Sequence, residues 1–190
     1  MNDQQQLIAL LAERSARRGH FTLASGRVST LYIDARMTTM SPEGLPLIGR
    51  LGLAEIGAAG WNPQAVGGLT LGADPISYAI SYASSATARP LRAFTVRKAT
   101  KSHGTGKLIE GPFNPSDRVV VTEDVITTGS SALKAVEAIR ETGAIVLGVL
   151  ALVDREEGGR EALQQAGLAV RVLVSARAIV GHLDGNTGNL

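Results

Sequence analysis

The feature that most constrains the fold of this chain is a repeated alternation of short strand-like runs with helical patterns. Residues 118–122 are mostly valine, residues 145–153 are almost entirely apolar, and a helical pattern over residues 130–141 separates them. Such runs predict buried strands, and strands that alternate with helices predict a parallel sheet covered on both faces. Ligands bind such sheets at the carboxyl ends of the strands. Candidate site residues therefore follow the predicted strand ends at Thr70, Val96, Thr122 and Val153.

The rest of the chain continues this alternation. Three more helices are predicted over residues 4–18 (ended by Gly19), 41–59 and 160–166. Asp74 is predicted to cap a further helix that runs to residue 85, with Pro75 as its first residue. The other extended segments are residues 21–35 (around a turn at Ser25-Gly26), 65–70, 91–96 and 169–174. Residues 100–106 are predicted to form a mobile loop and residues 184–190 a frayed tail.

Composition excludes several classes of protein. The chain has 190 residues and no cysteine, which excludes a disulfide framework, a thiolate zinc site and a cysteine nucleophile. Its length fits a single domain. The longest apolar run, residues 144–153, is too short to span a bilayer, and the N-terminus lacks the regions of a secretory signal. We therefore expect a cytoplasmic protein with no membrane partner.

The formal net charge of +2 hides two oppositely charged stretches. Residues 75–109 contain six basic residues and no acid, whereas residues 110–157 contain nine acids and four bases. One interpretation is a solvated surface on which charges fall by chance. The other is an anion-binding site that faces a site for cations or hydroxyl groups. The charge pattern alone leaves both open.

A motif after the central predicted strand favours the second interpretation. The acids Glu123 and Asp124 end that strand, and a loop rich in hydroxyl groups then enters a helix: Thr127, Thr128, Gly129, Ser130 and Ser131. A helix start with free N–H groups and a glycine suits a phosphate, and the two acids suit sugar hydroxyls or a cation. Both the Walker A pattern and the dinucleotide fingerprint are absent. The alternative is an ordinary turn whose Ser or Thr caps the helix.

The segment V-V-V-T-E-D-V-I-T-T-G-S-S, residues 119–131, resembles the phosphoribosyl-pyrophosphate motif of the type I phosphoribosyltransferases. The resemblance implies an α/β fold with a Rossmann-like parallel core over about residues 60–175. It also implies a small N-terminal hood over about residues 1–40. In that family the hydroxyl-rich loop binds the 5-phosphate, which assigns Thr127, Thr128, Gly129, Ser130 and Ser131. The acidic pair, here Glu123 and Asp124, binds the ribose 2- and 3-hydroxyls.

Further segments resemble the orotate phosphoribosyltransferases within that family. They are R-K-A-T-K-S-H-G (97–104), F-T-L-A-S-G-R (21–27), Y-I-D-A (32–35), G-G-L-T-L-G-A-D-P (67–75) and D-R-E-E-G-G (154–159). The first is similar to a mobile catalytic loop, here residues 97–110, and implies that Arg97, Lys98, Lys101 and His103 bind pyrophosphate. Catalysis is then assigned to Lys101, His103 and Asp124. Orotate binding is assigned to Arg155, Thr127, Tyr32 and Ile33.

The same resemblance implies Mg²⁺ held mainly by substrate and water, with no direct protein ligands. It also implies a homodimer in which Lys98, Lys101 and His103 act in trans. For Arg155 the alternative is a surface residue paired with Glu156 or Glu157. Many members carry lysine at Ala24 and within the G-A-D-P segment, so two cations are absent here, and Arg27 is the candidate replacement.

Two other functions compete with this one. A purine phosphoribosyltransferase should lack the segments 97–104 and 154–159. A regulator that senses phosphoribosyl pyrophosphate needs a DNA-binding element. Residues 1–74 contain six acids and six bases, and no helix-turn-helix pattern precedes the core. The resemblance therefore implies an enzyme that makes orotidine 5-phosphate for pyrimidine biosynthesis, and we expect no nucleic-acid partner.

Overall fold

The computed structural model describes residues 1–22, 28–99 and 107–186. Its main sheet has six strands in the order β5-β4-β3-β6-β7-β8. The strands are β3 (Ala65–Leu69), β4 (Arg92–Val96), β5 (Ile109–Glu110), β6 (Arg118–Ile126), β7 (Ile145–Asp154) and β8 (Val170–Ser175). All neighbouring pairs are parallel except β4 and β5. The predicted α/β fold with a parallel core is therefore confirmed.

Helices cover both faces of this sheet. They are α3 (Gly44–Ala58), α4 (Ala73–Ser84), α5 (Ser130–Arg140), α6 (Gly159–Gln165) and α7 (Ala176–Asn186). Alternate residues of β6 enter different cores: Val120 packs with Ile48 and Ile80 on one face, and Val121 packs with Val136 on the other. Burial on both faces explains why the central strands are continuous apolar runs.

The N-terminal segment forms a smaller unit beside this sheet. It contains α1 (Asp3–Leu10), a π-helical turn (Leu11–Ser15), β1 (Ala16–Thr22), β2 (Val28–Ile33) and α2 (Arg36–Thr39). The predicted helix over residues 4–18 is too long, because Ala16, Arg17 and Arg18 pair with β2 in an antiparallel ladder. Gly19 accordingly lies within β1 rather than ending a helix.

Three other predictions need correction. Strand β6 continues through Glu123 and Asp124 to Ile126, because β7 pairs with it as far as Asp154. Asp74 does not cap α4, which begins one residue earlier at Ala73. Helix α7 was not predicted, and residues 184–186 of the predicted frayed tail belong to it, while residues 187–190 lie outside the described residues. No helix within the described ranges combines the length and apolar character needed to cross a bilayer.

Candidate active site

A cleft of about 330 Å³ opens where β3 and β6 end. Most of the predicted site residues that the structure describes line it. On the base side these are Tyr32, Ile33 and Arg155, and on the ribose and phosphate side they are Lys98, Glu123, Asp124, Thr127 and Ser131. Residues separated by up to 123 positions in the chain thus meet in one place, as expected for the carboxyl ends of parallel strands.

The remaining predicted residues fall into three sets. Thr128, Gly129 and Ser130 continue the hydroxyl loop, which we define as residues 127–131, and lead into α5. Arg97 lines a neighbouring groove that shares Leu69, Lys98 and Ser131 with the cleft, and its guanidinium lies 3.5 Å from the Glu110 carboxylate. Lys101 and His103 lie outside the described residues.

Close packing on its glycines shapes the hydroxyl loop. Gly129 has φ +79°, and a Cβ added there would lie 2.9 Å from the carbonyl oxygen of Gly159. A Cβ on Gly159 would in turn lie 2.4 Å from the carbonyl oxygen of Thr127. The side chains of Thr128 and Ser130 are exposed. The Thr128 hydroxyl donates to the Ser130 hydroxyl at 3.1 Å and accepts from the Ser130 N–H at 3.4 Å. The loop therefore presents hydroxyls and the N-terminus of an 11-residue helix, a combination that suits a phosphate.

The two carboxyls at the end of β6 have unusual protonation behaviour. Burial and the adjacent charge of Asp124 raise the pKa of Glu123 to about 8. Burial likewise raises the pKa of Asp124, although a hydrogen bond from the N–H of Val125 acts in the opposite direction. Perturbed carboxyls in a cleft are typical of functional sites. A neutral carboxyl can donate a hydrogen bond as well as accept one, so the pair suits sugar hydroxyls.

Another wall of the cleft is formed by Thr70, Leu71 and Gly72. We call the connection between β3 and α4 together with the first two residues of α4, residues 70–74, the β3–α4 loop. The buried Asp74 carboxylate accepts hydrogen bonds from the hydroxyls of Thr70, at 2.7 Å, and Thr95, at 2.8 Å. The peptide bond between Thr70 and Leu71 is cis. A Cβ added to Gly72 would lie 2.3 Å from the Asp124 carboxylate. The loop is thus tied to β4 on one side and pressed against the acidic pair on the other.

Arg155 and Tyr32 occupy different environments at the base side. The Arg155 side chain is only 6% exposed, and its Nη2 lies 2.8 Å from the Glu157 carboxylate and donates to the Leu31 carbonyl oxygen at 2.9 Å. The surface position considered for Arg155 is therefore wrong, although the pairing with Glu157 is present. Tyr32 is half-exposed, with its ring 5.4 Å from that of Phe21, while Ile33 is buried.

Sequence reasoning missed two charged residues of this cleft. Asp34 and Arg36 both line it, and Arg36 donates to Asp34 through Nε at 2.8 Å and Nη2 at 2.9 Å. Arg36 holds the pKa of Asp34 below its usual value. Its charge also opposes, in small part, the rise that burial causes in the pKa of Asp124. The sequence spacing D-A-R carries a signal for an ion pair, but nothing in it places that pair in the cleft.

Comparison with known proteins identifies the family. No family model matches the chain. An orotate phosphoribosyltransferase of Aquifex aeolicus is 49% identical over 171 residues, which cover 88% of this chain and 92% of that protein. The crystal structure of Mycobacterium tuberculosis H37Rv orotate phosphoribosyltransferase with Fe(III) dicitrate superposes with a TM-score of 0.82 at 42% identity, covering 94% of this chain and 99% of that one.

A second crystal structure of the Mycobacterium tuberculosis enzyme holds 5-phospho-α-D-ribosyl 1-diphosphate. It superposes with a TM-score of 0.78 at 40% identity and covers 94% of this chain and 99% of that one. Identity at this level extends along nearly the whole chain, well beyond the motif of residues 119–131. This chain therefore belongs to the orotate phosphoribosyltransferase family.

Proposed function

We propose that this protein transfers the 5-phosphoribosyl group of phosphoribosyl pyrophosphate to orotate. The products are orotidine 5-phosphate and pyrophosphate, and the reaction belongs to de novo UMP biosynthesis. The observation that carries the proposal is the meeting of the Glu123–Asp124 pair, the hydroxyl loop and Arg155 in one cleft. These three features match the three parts of the product: ribose, phosphate and a base that carries a carboxylate.

The hydroxyl loop takes the 5-phosphate in this proposal. The exposed hydroxyls of Thr128 and Ser130 exchange their mutual hydrogen bond for bonds to phosphate oxygens. The backbone N–H groups at the start of α5 add donors and the positive end of the helix dipole. Gly129 holds the left-handed backbone conformation that turns the loop into the helix.

The acidic pair positions the sugar and supports the reaction. Glu123 and Asp124 bind the ribose 2- and 3-hydroxyls in this assignment. Displacement of pyrophosphate leaves positive charge on the ribose ring, and the Asp124 carboxylate stabilises that charge. The reaction needs little covalent chemistry from the protein, so positioning and electrostatics supply most of the rate enhancement.

The basic segment neutralises the leaving group. Arg97 and Lys98 follow β4 at the edge of the cleft, and we assign Lys101 and His103 to the same role from the resemblance. Imidazole has an ordinary pKa of about 6.5, so His103 can also donate a proton to the departing pyrophosphate.

At the base side, Arg155 is assigned to the orotate carboxylate. Its burial favours a strong charge-assisted hydrogen bond, although its bond to Glu157 must loosen or be shared when orotate binds. Tyr32 and Ile33 flank the ring, and Thr127 contacts both the base region and the loop. Tyr32 is exposed enough to change its ring orientation, whereas Ile33 is fixed in the core.

Mg²⁺ is the proposed cofactor. The donor set fits a cation held mainly by diphosphate and ribose oxygens and by water, since two carboxyls face the cleft. No group of three His, Asp or Glu side chains suited to a metal ion occurs within residues 1–22, 28–99 and 107–186. When bound, the ion supplies charge neutralisation for the diphosphate.

A homodimer with the basic loop acting in trans completes the proposal. An apolar groove of about 480 Å³ lies between α3 and α4, lined by Leu45, Pro46, Tyr78 and Tyr82 among others. Tyr82 is 83% exposed, and Leu71 at the cleft is 52% exposed. Apolar surface of this kind beside a site favours a protein partner, and a second copy would cover it. We place this dimer in the cytoplasm and assign it no nucleic-acid partner.

The function is tested by following orotate absorbance with phosphoribosyl pyrophosphate and Mg²⁺. We expect orotate to be consumed, with no turnover of adenine or hypoxanthine under the same conditions. Turnover of a purine base in place of orotate would refute the base assignment. Omitting Mg²⁺ in the presence of a chelator should abolish turnover, and full activity without the ion would remove it from the proposal.

The trans arrangement is tested by mixing two inactive variants, Lys101→Ala and Asp124→Asn. If the loop acts in trans, half of the randomly mixed dimers contain one intact site, so about a quarter of wild-type activity returns. If the loop acts within its own subunit, no intact site forms and activity stays absent. Sedimentation of the wild type establishes whether a dimer exists at the assay concentration.

A further inference from the structure

The β3–α4 loop presents no positive charge to the cleft. The only ionisable side chain among residues 70–74 is Asp74, which is buried and engaged by the hydroxyls of Thr70 and Thr95. A substrate diphosphate brings several negative charges to this wall, and an anion out of water needs a cationic partner. The compensating charge must therefore come from another element.

Three basic side chains line the cleft within the described part of the chain: Arg36, Lys98 and Arg155. The Arg155 guanidinium is buried and engaged by Leu31 and Glu157. Lys98 is exposed and stands at the border with the neighbouring groove. Arg27, the replacement named from the sequence, lies outside the described residues. Arg36 is thus the candidate that lines the cleft and is also fixed in position.

The geometry of Arg36 suits an anion. Asp34 holds one edge of its guanidinium through Nε and Nη2, at 2.8 and 2.9 Å. Its side chain remains 48% exposed, and its Nη1 makes no hydrogen bond to any residue that the structure describes. A guanidinium carries five N–H donors, so this arrangement orients the fork and leaves donors for a ligand.

Arg36 and the β3–α4 loop both lie near the Asp124 carboxylate. The charge of Arg36 acts on the carboxylate of Asp124, and that carboxylate packs directly against Gly72. Arg36 and Gly72 therefore both lie near the Asp124 carboxylate, and both line the cleft. The 5-phosphate already has that loop and the start of α5.

We propose that Arg36, oriented by Asp34, binds the diphosphate of phosphoribosyl pyrophosphate and supplies the positive charge that the β3–α4 loop lacks. The inference rests on the proposed function, because that function brings a diphosphate to the cleft. It gives Arg36 a binding role that the motif of residues 119–131 does not include. Asp34 is a positioning residue in this arrangement.

The test compares Arg36→Gln, Arg36→Lys and the control Arg171→Gln. Arg171 is also a half-exposed arginine paired with an acid, Glu55, but it lies on the edge strand β8. Isothermal titration with inorganic pyrophosphate and Mg²⁺ measures binding without turnover. Steady-state kinetics give KM for each substrate, and thermal unfolding confirms that each variant is folded.

We expect Arg36→Gln to weaken pyrophosphate binding and to raise KM for phosphoribosyl pyrophosphate about 10- to 100-fold, the usual effect of a lost charged hydrogen bond. KM for orotate should change by less than about threefold. Arg36→Lys keeps the positive charge but loses the paired N–H donors of the guanidinium, so pyrophosphate affinity should fall about three- to tenfold. Arg171→Gln should match the wild type in every measurement.

Two outcomes would overturn the inference. One is unchanged pyrophosphate binding in folded Arg36→Gln protein. The other is a larger effect on orotate than on phosphoribosyl pyrophosphate, which would make Arg36 a base-binding residue. If the wild type does not consume orotate, the proposed function fails, but the pyrophosphate titration still decides the role of Arg36.

Discussion

The two loops that enclose the cleft occupy equivalent places in the fold and use their polar side chains in opposite ways. Both follow parallel strands, β3 and β6, and both lead into a helix. In the β3–α4 loop the polar side chains form hydrogen bonds within the protein, because the buried Asp74 carboxylate accepts from the hydroxyls of Thr70 and of Thr95 on β4. In the hydroxyl loop the side chains of Thr128 and Ser130 are exposed, and the hydrogen bonds of their hydroxyls stay within the loop.

One edge of the sheet thus carries a loop whose side chains fix its own structure and a loop whose side chains are available to a ligand. The first loop gains a fixed shape and leaves its backbone and Gly72 to face the cleft. The second loop obtains its shape from glycines and from packing against α6, so its hydroxyls stay available for a ligand. Between them stand Glu123 and Asp124, whose raised pKa values reflect burial by both walls.

The largest expected effect concerns this acidic pair. The pKa of Glu123 is about 8 in the folded protein against a usual value of 4.5. Between those pH values the folded protein holds a proton that the unfolded chain has released, so raising the pH favours unfolding. Wild-type stability should therefore fall relative to Glu123→Gln as the pH rises through this window.

Since one pKa unit is about 1.4 kcal/mol, the full difference should be on the order of several kcal/mol. Denaturant unfolding of both proteins at pH 5, 6.5 and 8 measures it. Parallel stability curves for the two proteins would mean that the pair is not shielded from water by the two loops.

The next effect tests the contact between the first loop and the acidic pair. Gly72→Ala places a Cβ 2.3 Å from the Asp124 carboxylate, so either the loop or the carboxylate must move. A displacement of about 1 Å in a catalytic arrangement costs about 100-fold in rate, and we expect at least this loss in kcat/KM. Gly181→Ala is the matched control, because its Cβ meets nothing within 4 Å. Wild-type activity in Gly72→Ala would show that the contact is dispensable.

The third and smallest effect distinguishes the structural role of the β3–α4 loop from the binding role of the hydroxyl loop. Asp74→Ala should lower the free energy of unfolding by about 2 kcal/mol, because it leaves two hydroxyls without their buried acceptor. Ser130→Ala should leave stability within about 0.5 kcal/mol of wild type and raise KM for phosphoribosyl pyrophosphate about tenfold. Asp184→Ala, which removes an exposed ion pair with Arg18, is the stability control. A large stability loss in Ser130→Ala would contradict the division of roles.

The sequence predicted the fold well where burial is two-sided and poorly where tertiary contacts decide. The valine-rich run of β6 and the apolar run of β7 are typical of central strands, and both were predicted correctly. The end of β6 could not be found, because the pairing of Val125 with Val153 holds two acids in a strand that their β propensity disfavours. Helix α7 was missed because two glycines and a polar end interrupt its pattern, although five of its eleven residues are apolar and Ile179 enters the core.

The site residues were also predicted well where the signal is local in sequence and poorly where tertiary contacts decide. The acidic pair and the hydroxyl loop are adjacent in sequence, so their spacing carries the information. The helix cap predicted for Asp74 was wrong because the hydrogen bond that determines its role comes from Thr95, 21 positions away, and leaves no local signal in the sequence. Arg36 was missed because its importance comes from where α2 lies, and nothing in residues 34–36 encodes that place.

The close approach of Gly159 to Thr127 also has a consequence for protein engineering. Because these backbones touch, the segment that carries Arg155 and the loop that carries the hydroxyls cannot be exchanged independently. The smallest transplantable module for changing the accepted base therefore runs from the end of β6 to the start of α6. Libraries that vary residues 154–159 should keep Gly159 constant, because any side chain there would displace the hydroxyl loop along with the base.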